Sequence, residues 1–74
     1  MRKLYVVNTR IGLFYIAESR EGFHPLYGEE SLGSYPRPEQ AAEDLAGRHT
    51  FSILGGIDTA SLGIPEDLRE WQRL

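Results

Sequence analysis

Few side chains in this 74-residue chain could act as a metal ligand. His24 and His49 are the only histidines, and no cysteine is present, so thiolate chemistry, disulfides and a cysteine-based zinc site are excluded. A zinc site built on two histidines needs further well-placed ligands, and the sequence does not point to them. We therefore predict no metal site and no cofactor. His49 is instead assigned to the C-terminal end of a predicted helix, where positive charge is favourable.

Catalytic chemistry is not indicated by the remaining candidates. Serine, histidine and aspartate all occur, but no serine lies in a Gly-x-Ser-x-Gly nucleophile elbow. The adjacent pair Glu29-Glu30 would point to opposite faces of an extended chain, so the two carboxyls would not converge on one bond. We predict no catalytic residues, and we predict that the chain is not an enzyme.

The pair Gly55-Gly56 in "FSILGGIDTASLGIPEDLREW" raises the question of a phosphate-binding loop. Such a loop needs a following Lys and Ser or Thr, or spaced glycines that open directly into a helix. No lysine lies downstream, and Asp58 would repel a phosphate. The pair is therefore interpreted as a corner that ends a strand.

Composition predicts one small globular domain over residues 1–74, since 41% of residues are hydrophobic and 11% aromatic. The net charge is −3, and the basic residues are dispersed from Arg2 to Arg73, which disfavours direct binding of nucleic acid. The longest apolar run, IGLFYIA at residues 11–17, is too short to span a membrane. The N-terminus lacks the pattern of a signal peptide, so we expect a cytoplasmic protein without membrane contact.

The first half of the chain reads as strands. Lys3–Val7 and Leu13–Glu18 are rich in β-branched and aromatic residues, and they predict a hairpin with a loop of about five residues. Phe23–Tyr27 is a third predicted strand, which Pro25 restricts to a sheet edge or a bulge because proline has no N–H. Residues 28–38 are predicted to be a long loop with one short extended piece.

The second half adds the helices. Pro38 begins a helix whose small apolar stripe, Ala41, Ala42, Leu45 and Ala46, suits packing on a sheet, and Gly47 ends it. Thr50–Leu54 is a predicted strand, and Pro65 starts a predicted short C-terminal helix with Ile64, Leu68 and Trp71 on one face. The predicted fold class is α+β: a three- to four-stranded antiparallel sheet with one main helix and a short C-terminal helix packed on one face.

The aromatic and acidic residues are the best candidates for a partner-binding surface. So small a domain with strands that are apolar on both faces cannot hide every aromatic side chain, and exposed tyrosines rimmed by charges are typical of protein interfaces. The carboxylates would steer the chain toward a basic surface. The predicted partner-binding residues are Glu18, Glu21, Tyr27, Glu29, Glu30, Tyr35, Glu39, Glu43 and Asp44.

One part of the chain resembles a known family. Ile53-Leu54-Gly55, followed nine residues later by Ile64-Pro65-Glu66-Asp67-Leu68-Arg69, resembles the C-terminal end of small phage-encoded anti-CRISPR proteins that inhibit type I surveillance complexes. The similarity covers residues 40–69, including the alanine-rich helix. It implies a non-enzymatic inhibitor that binds a large nucleoprotein complex, and it assigns no functional residue.

Three functions therefore stay open at this point. The first is a non-enzymatic interaction protein, such as a phage or mobile-element inhibitor that binds and occludes a nucleoprotein complex, for instance a CRISPR effector. The second is a homodimeric domain of unknown role in which the apolar sheet face or the predicted helix that carries Trp71 drives self-association. The third is a small nucleic-acid-binding module that uses tyrosines and arginines, which would show steep salt dependence.

Overall fold

A computed structural model of the chain describes residues 1–48, 52–53 and 57–74. His49, predicted at a helix end, and Gly55-Gly56, predicted as a corner, lie outside these described residues. Within them the chain is a small α+β structure with an antiparallel sheet, as the sequence predicts.

The main sheet has five strands rather than three to four. They are β1 (Arg2–Thr9), β2 (Gly12–Ser19), β3 (Gly22–Tyr27), β4 (Glu30–Ser31) and a C-terminal strand, β7 (Gln72–Arg73). Their order across the sheet is β4-β3-β2-β1-β7, and all pairings are antiparallel. A separate two-stranded sheet pairs β5 (Ser52–Ile53) with β6 (Ile57–Asp58), so part of the predicted Thr50–Leu54 strand is present.

The first hairpin is tighter than the sequence predicts. Asn8 and Thr9 belong to β1, and only Arg10 and Ile11 connect it to β2. The Thr9 hydroxyl accepts the Ile11 N–H at 3.3 Å and donates to the Gly12 carbonyl at 2.8 Å, which closes the short turn. The strands are therefore longer than their apolar cores, because polar residues at the ends join the ladder.

Pro25 does not place β3 at an edge, because β4 lies beside it. The pairing between these neighbours shifts by one residue, from Leu26↔Ser31 to Phe23↔Tyr35. Because the ladder is irregular opposite Pro25, no regular strand hydrogen bond from the Pro25 nitrogen is required there. The Pro25 carbonyl still accepts the Leu32 N–H at 2.8 Å. The segment before the helix thus contains the short extended piece that was predicted.

The helix begins at Pro38, as predicted, and α1 runs over Pro38–Glu43. A π-type turn over Asp44–Arg48 follows, with Gly47 at φ 141°. Ala41, Ala42 and Leu45 are fully buried against Phe14 and Ile16 of the central strand. The small side chains allow close approach of the helix to the sheet, so one face of the sheet carries the core.

The prediction of a C-terminal helix beginning at Pro65 is wrong. Residues 59–62 and 68–70 form single 3₁₀ turns, and the chain then enters β7 beside β1. The Asp67 carboxylate accepts the Arg69 N–H at 2.9 Å and caps the second turn, while the Trp71 indole N–H donates to the Pro65 carbonyl at 3.0 Å. Pairing of β7 with β1 outcompetes a further helical turn, yet Ile64 and Trp71 still reach the core.

Candidate protein-binding groove

A groove lies where the β1–β7 edge, the start of α1 and the 3₁₀ turn at Leu68–Glu70 meet. Its larger part has a volume of about 570 Å³. We call this part the acidic lobe; its described lining residues are Tyr5, Glu39, Glu43, Glu66, Asp67, Leu68 and Arg69. Carboxylates outnumber guanidinium groups four to one in this lining.

A second, smaller part of the groove has a volume of about 250 Å³ and carries the opposite charge. We call it the basic lobe; its described lining residues are Tyr5, Leu68, Arg69, Trp71 and Arg73. Tyr5, Leu68 and Arg69 line both lobes, so they form a shared wall. The groove therefore changes sign along its length over an aromatic and aliphatic wall.

Local structure explains how these side chains come together. Glu39 and Glu43 are four residues apart in α1, so they lie on the same side of the helix. The Asp67-capped turn holds Arg69, and strand pairing Tyr5↔Arg73 sets the basic lobe beside β1. Each lobe thus depends on a different element of the C-terminal segment.

Arg69 of the shared wall forms an ion pair with Asp67 of the acidic lobe. The Arg69 guanidinium donates to both carboxylate oxygens of Asp67, at 3.2 and 3.1 Å from Nε and 2.8 Å from Nη2. Hydrogen bonding to Arg69 lowers the pKa of Asp67, and the same contact raises the pKa of Arg69. These two charges largely satisfy each other, so the polarity of the groove comes from the other charged residues.

Two of those residues are exposed and held only weakly. Glu39 pairs with Arg37 at 3.5 Å, where both side chains are more than half exposed. The Arg73 guanidinium lies 5.9 Å from the centre of the Tyr5 ring, a cation–π distance. Both groups can therefore turn toward a ligand at little cost.

The structure brings only two of the predicted partner-binding residues, Glu39 and Glu43, into this groove. Asp44 instead accepts a hydrogen bond from the phenol of Tyr35, and burial together with Asp44 raises the pKa of Tyr35 to about 12. Tyr27 donates to the Ile11 carbonyl at 2.8 Å, and its ring packs on Phe14. Both tyrosines are half-buried and hold the fold together.

The other predicted residues lie elsewhere on the sheet. Glu18 pairs with Arg2 at 3.1 Å, and Glu29 pairs with Lys3 at 2.7 Å. The hydrogen bond from Lys3 lowers the pKa of Glu29 and raises that of Lys3, whose ammonium lies 4.4 Å from the centre of the Tyr15 ring. Glu21 is exposed in the β2–β3 turn, and Glu30 is exposed on β4. Binding by any of these residues stays a prediction.

Sequence reasoning missed Tyr5, Glu66, Asp67, Arg69 and Arg73 as members of one groove. The acidic and basic residues of this set lie in the segment that was predicted to be a C-terminal helix. That interpretation hid the pairing of Arg73 with Tyr5. A possible signal was the apolar β1 strand, which needs a neighbour at its free edge.

His24 forms the main polar network outside the groove. It is buried, with Nε2 2.6 Å from the Ser19 hydroxyl and Nδ1 3.0 Å from the Gly33 carbonyl oxygen. Because a carbonyl only accepts, Nδ1 carries the proton and Nε2 accepts from Ser19. The Ser19 oxygen also accepts the Glu21 N–H at 3.1 Å, so this pair joins the β2–β3 hairpin to the segment after β4.

The described part of the chain holds neither a cluster of metal ligands nor a helix that could span a membrane. Within residues 1–48, 52–53 and 57–74, no group of three or more His, Asp or Glu side chains is placed to hold a metal ion. No helix in the described part of the chain has the length and hydropathy needed to cross a membrane.

Comparison of the chain with protein-family models, curated proteins and solved structures found no match. The resemblance of residues 40–69 to anti-CRISPR proteins therefore stays a prediction.

Proposed function

We propose that this chain is a non-enzymatic protein-binding inhibitor that docks its acidic lobe on a basic protein surface. The target surface is one that otherwise meets nucleic acid, as in a CRISPR effector or a similar nucleoprotein complex. By covering that surface, the bound chain would exclude the nucleic acid.

The acidic lobe is the single observation that carries this proposal. Four carboxylates line a depression of about 570 Å³ with Tyr5 and Leu68 in its wall. Asp67 is paired with Arg69, so the negative character comes from Glu39, Glu43 and Glu66. A lysine or arginine side chain entering it would lay its aliphatic stem on the apolar wall and its charge among the carboxylates. The net charge of −3 also disfavours direct binding of nucleic acid.

Electrostatic steering sets the expected behaviour of the complex. Complementary charge raises the association rate, and added salt screens it with a Debye length of about 8 Å at physiological ionic strength. We therefore expect tight binding at low salt and release as the salt concentration rises.

The test uses the immobilised chain and a purified type I surveillance complex, eluted in salt steps. Glu39→Lys reverses one charge of the acidic lobe on an exposed side chain, and Glu30→Lys makes the same change on β4, at the opposite edge of the sheet. We expect the unaltered chain and E30K to retain the complex and to block its binding of DNA. We expect E39K to lose at least about tenfold in affinity.

Three results would contradict the proposal. Passage of the complex without retention would remove the inhibitor function for this target class. Loss of binding by E30K with binding kept by E39K would move the interface to the β4 edge. Retention without any effect on DNA binding would leave a binding protein that does not occlude nucleic acid.

A further inference from the structure

We propose that two copies of this chain dimerise through the groove, with the basic lobe of each copy seated in the acidic lobe of the other. This inference concerns the free chain and goes beyond the inhibitor function. It rests on the juxtaposition of two oppositely charged lobes that share one wall.

Arg73 is the cation that the basic lobe offers to a partner. Its side chain is exposed, and its guanidinium lies over the Tyr5 ring, 5.9 Å from the ring centre. No ion pair involving Arg73 is formed within the described residues. A guanidinium at the rim of an aromatic cavity favours a carboxylate, which it can bind through two parallel N–H donors.

The acidic lobe supplies such a carboxylate. Glu39 is exposed on α1, lines the acidic lobe and makes only a 3.5 Å contact with an exposed arginine. Exchange of that contact for a partner's Arg73 would replace a surface pair by one that is flanked by Tyr5 and Leu68. A partly desolvated pair of this kind is stronger than an exposed one.

The order of the lobes fits a two-fold axis. In an isologous interface the same patch is used twice, so residue i of one copy meets residue j of the other and the reverse. An axis through the shared wall of Tyr5 and Leu68 would set each basic lobe opposite the partner's acidic lobe. The apolar wall residues would then meet at the centre, with the charges around them, as in other interfaces.

The size of the molecule allows this contact. Its accessible surface is 4548 Å². A standard interface covers about 800 Å² on each partner, which is roughly a sixth of that surface. Dimerisation would hide the acidic lobe, so a basic partner would have to compete with the second copy.

The experiment is a charge exchange measured by analytical ultracentrifugation of the free chain at several concentrations. R73E places a carboxylate opposite the partner's Glu39, and E39K places an ammonium opposite the partner's Arg73. We expect the unaltered chain to form dimers and each variant alone to lose at least about tenfold in association constant. An equimolar mixture of R73E and E39K should restore the dimer, because both cross-contacts then pair opposite charges.

The control is R20E, which reverses an exposed charge in the β2–β3 turn. It should not change the association constant, and circular dichroism should show all three variants folded. A monomeric unaltered chain would overturn the inference, and so would a dimer whose variants do not recover on mixing. Because no nucleoprotein complex is present, failure here is distinct from failure of the inhibitor function.

Discussion

At the residue scale, His24 is a buried polar side chain that is hydrogen-bonded through both ring nitrogens. Its two nitrogens make hydrogen bonds to Ser19 at the end of β2 and to Gly33 after β4. Loss of the ring leaves the Gly33 carbonyl with the Ser31 hydroxyl as its remaining side-chain donor, at 3.0 Å, and removes the ring acceptor of the Ser19 hydroxyl. Lost hydrogen bonds at a buried side chain lower stability.

We expect His24→Leu, which keeps most of the volume but removes both hydrogen bonds, to lower the free energy of unfolding by about 1–3 kcal/mol. Urea unfolding followed by circular dichroism measures this change. Arg20→Ala, at an exposed position in the nearby turn, should stay within about 0.5 kcal/mol of the unaltered chain. Equal stability of the two variants would show that the His24 network contributes little.

Tyr35 gives a second prediction at this scale, through pH. The folded state holds its phenol neutral, with a pKa of about 12 against an ordinary value of 10, because of burial and the nearby Asp44. The unfolded chain ionises first as pH rises, so this contribution to stability is complete below pH 10 and is lost toward pH 12.

Urea unfolding at a series of pH values tests that prediction on the unaltered chain and on Tyr35→Phe. The phenylalanine variant should be less stable near neutral pH, by about 1 kcal/mol for the lost hydrogen bond. The difference between the two proteins should then shrink as pH rises above 10, in the direction that the raised pKa requires. A difference that stays constant would contradict the assignment.

At the element scale, the β2–β3 turn is fixed by the close approach of another segment. Gly22 has φ +125°, and a Cβ there would lie 2.5 Å from the Tyr35 carbonyl oxygen. That same oxygen accepts the Phe23 N–H at 2.8 Å, so it cannot withdraw without loss of the bridge between the two segments.

We expect Gly22→Ala to destabilise the chain by at least about 2 kcal/mol, since backbone strain and a backbone clash add together. Gly28→Ala is the matched comparison, because Gly28 also has positive φ, at +61°, but a Cβ there meets nothing within 4 Å. Its cost should be only the strain of the left-handed conformation, about 1 kcal/mol. Thermal unfolding of both variants provides the measurement, and similar midpoints would contradict the clash.

The elements also show how far sequence reasoning reaches. β1, β2, β3 and the start of α1 were predictable, because runs of β-branched and aromatic residues and Pro38 are local signals. The structure of the C-terminal segment was not predictable. Ile64, Leu68 and Trp71 have helical spacing, and the free edge of β1 that β7 pairs with exists only in the assembled sheet. The groove was only partly predictable for the same reason. Glu39 and Glu43 were predicted as partner-binding residues, but Arg73 lies beside Tyr5 only because β7 pairs with β1.

At the scale of the whole molecule, both ends of the chain contribute to one core. Trp71 packs in the same cluster as Phe14 and Ile16, and β7 pairs with β1. Such mutual dependence favours cooperative unfolding of these elements. One domain over residues 1–74 stays a prediction.

This cooperativity is testable because Trp71 is the only tryptophan. We expect its fluorescence and the far-ultraviolet circular dichroism of the sheet to report the same urea midpoint. Removal of residues 71–74 should unfold the chain, since loss of a buried tryptophan alone costs about 3–5 kcal/mol. An earlier fluorescence transition would instead identify the C-terminal segment as a separately melting part.

The pairing of β7 with β1 has a mechanical consequence. The Leu74 N–H donates to the Leu4 carbonyl at 2.9 Å, so the two strands leave their ladder at the same end. Tension applied between residues 1 and 74 would load these hydrogen bonds one after another, like a zipper, instead of all together in shear. The β7 strand would therefore peel away at low force, and Trp71 would follow it out of the core before the β1–β2–β3 sheet yields.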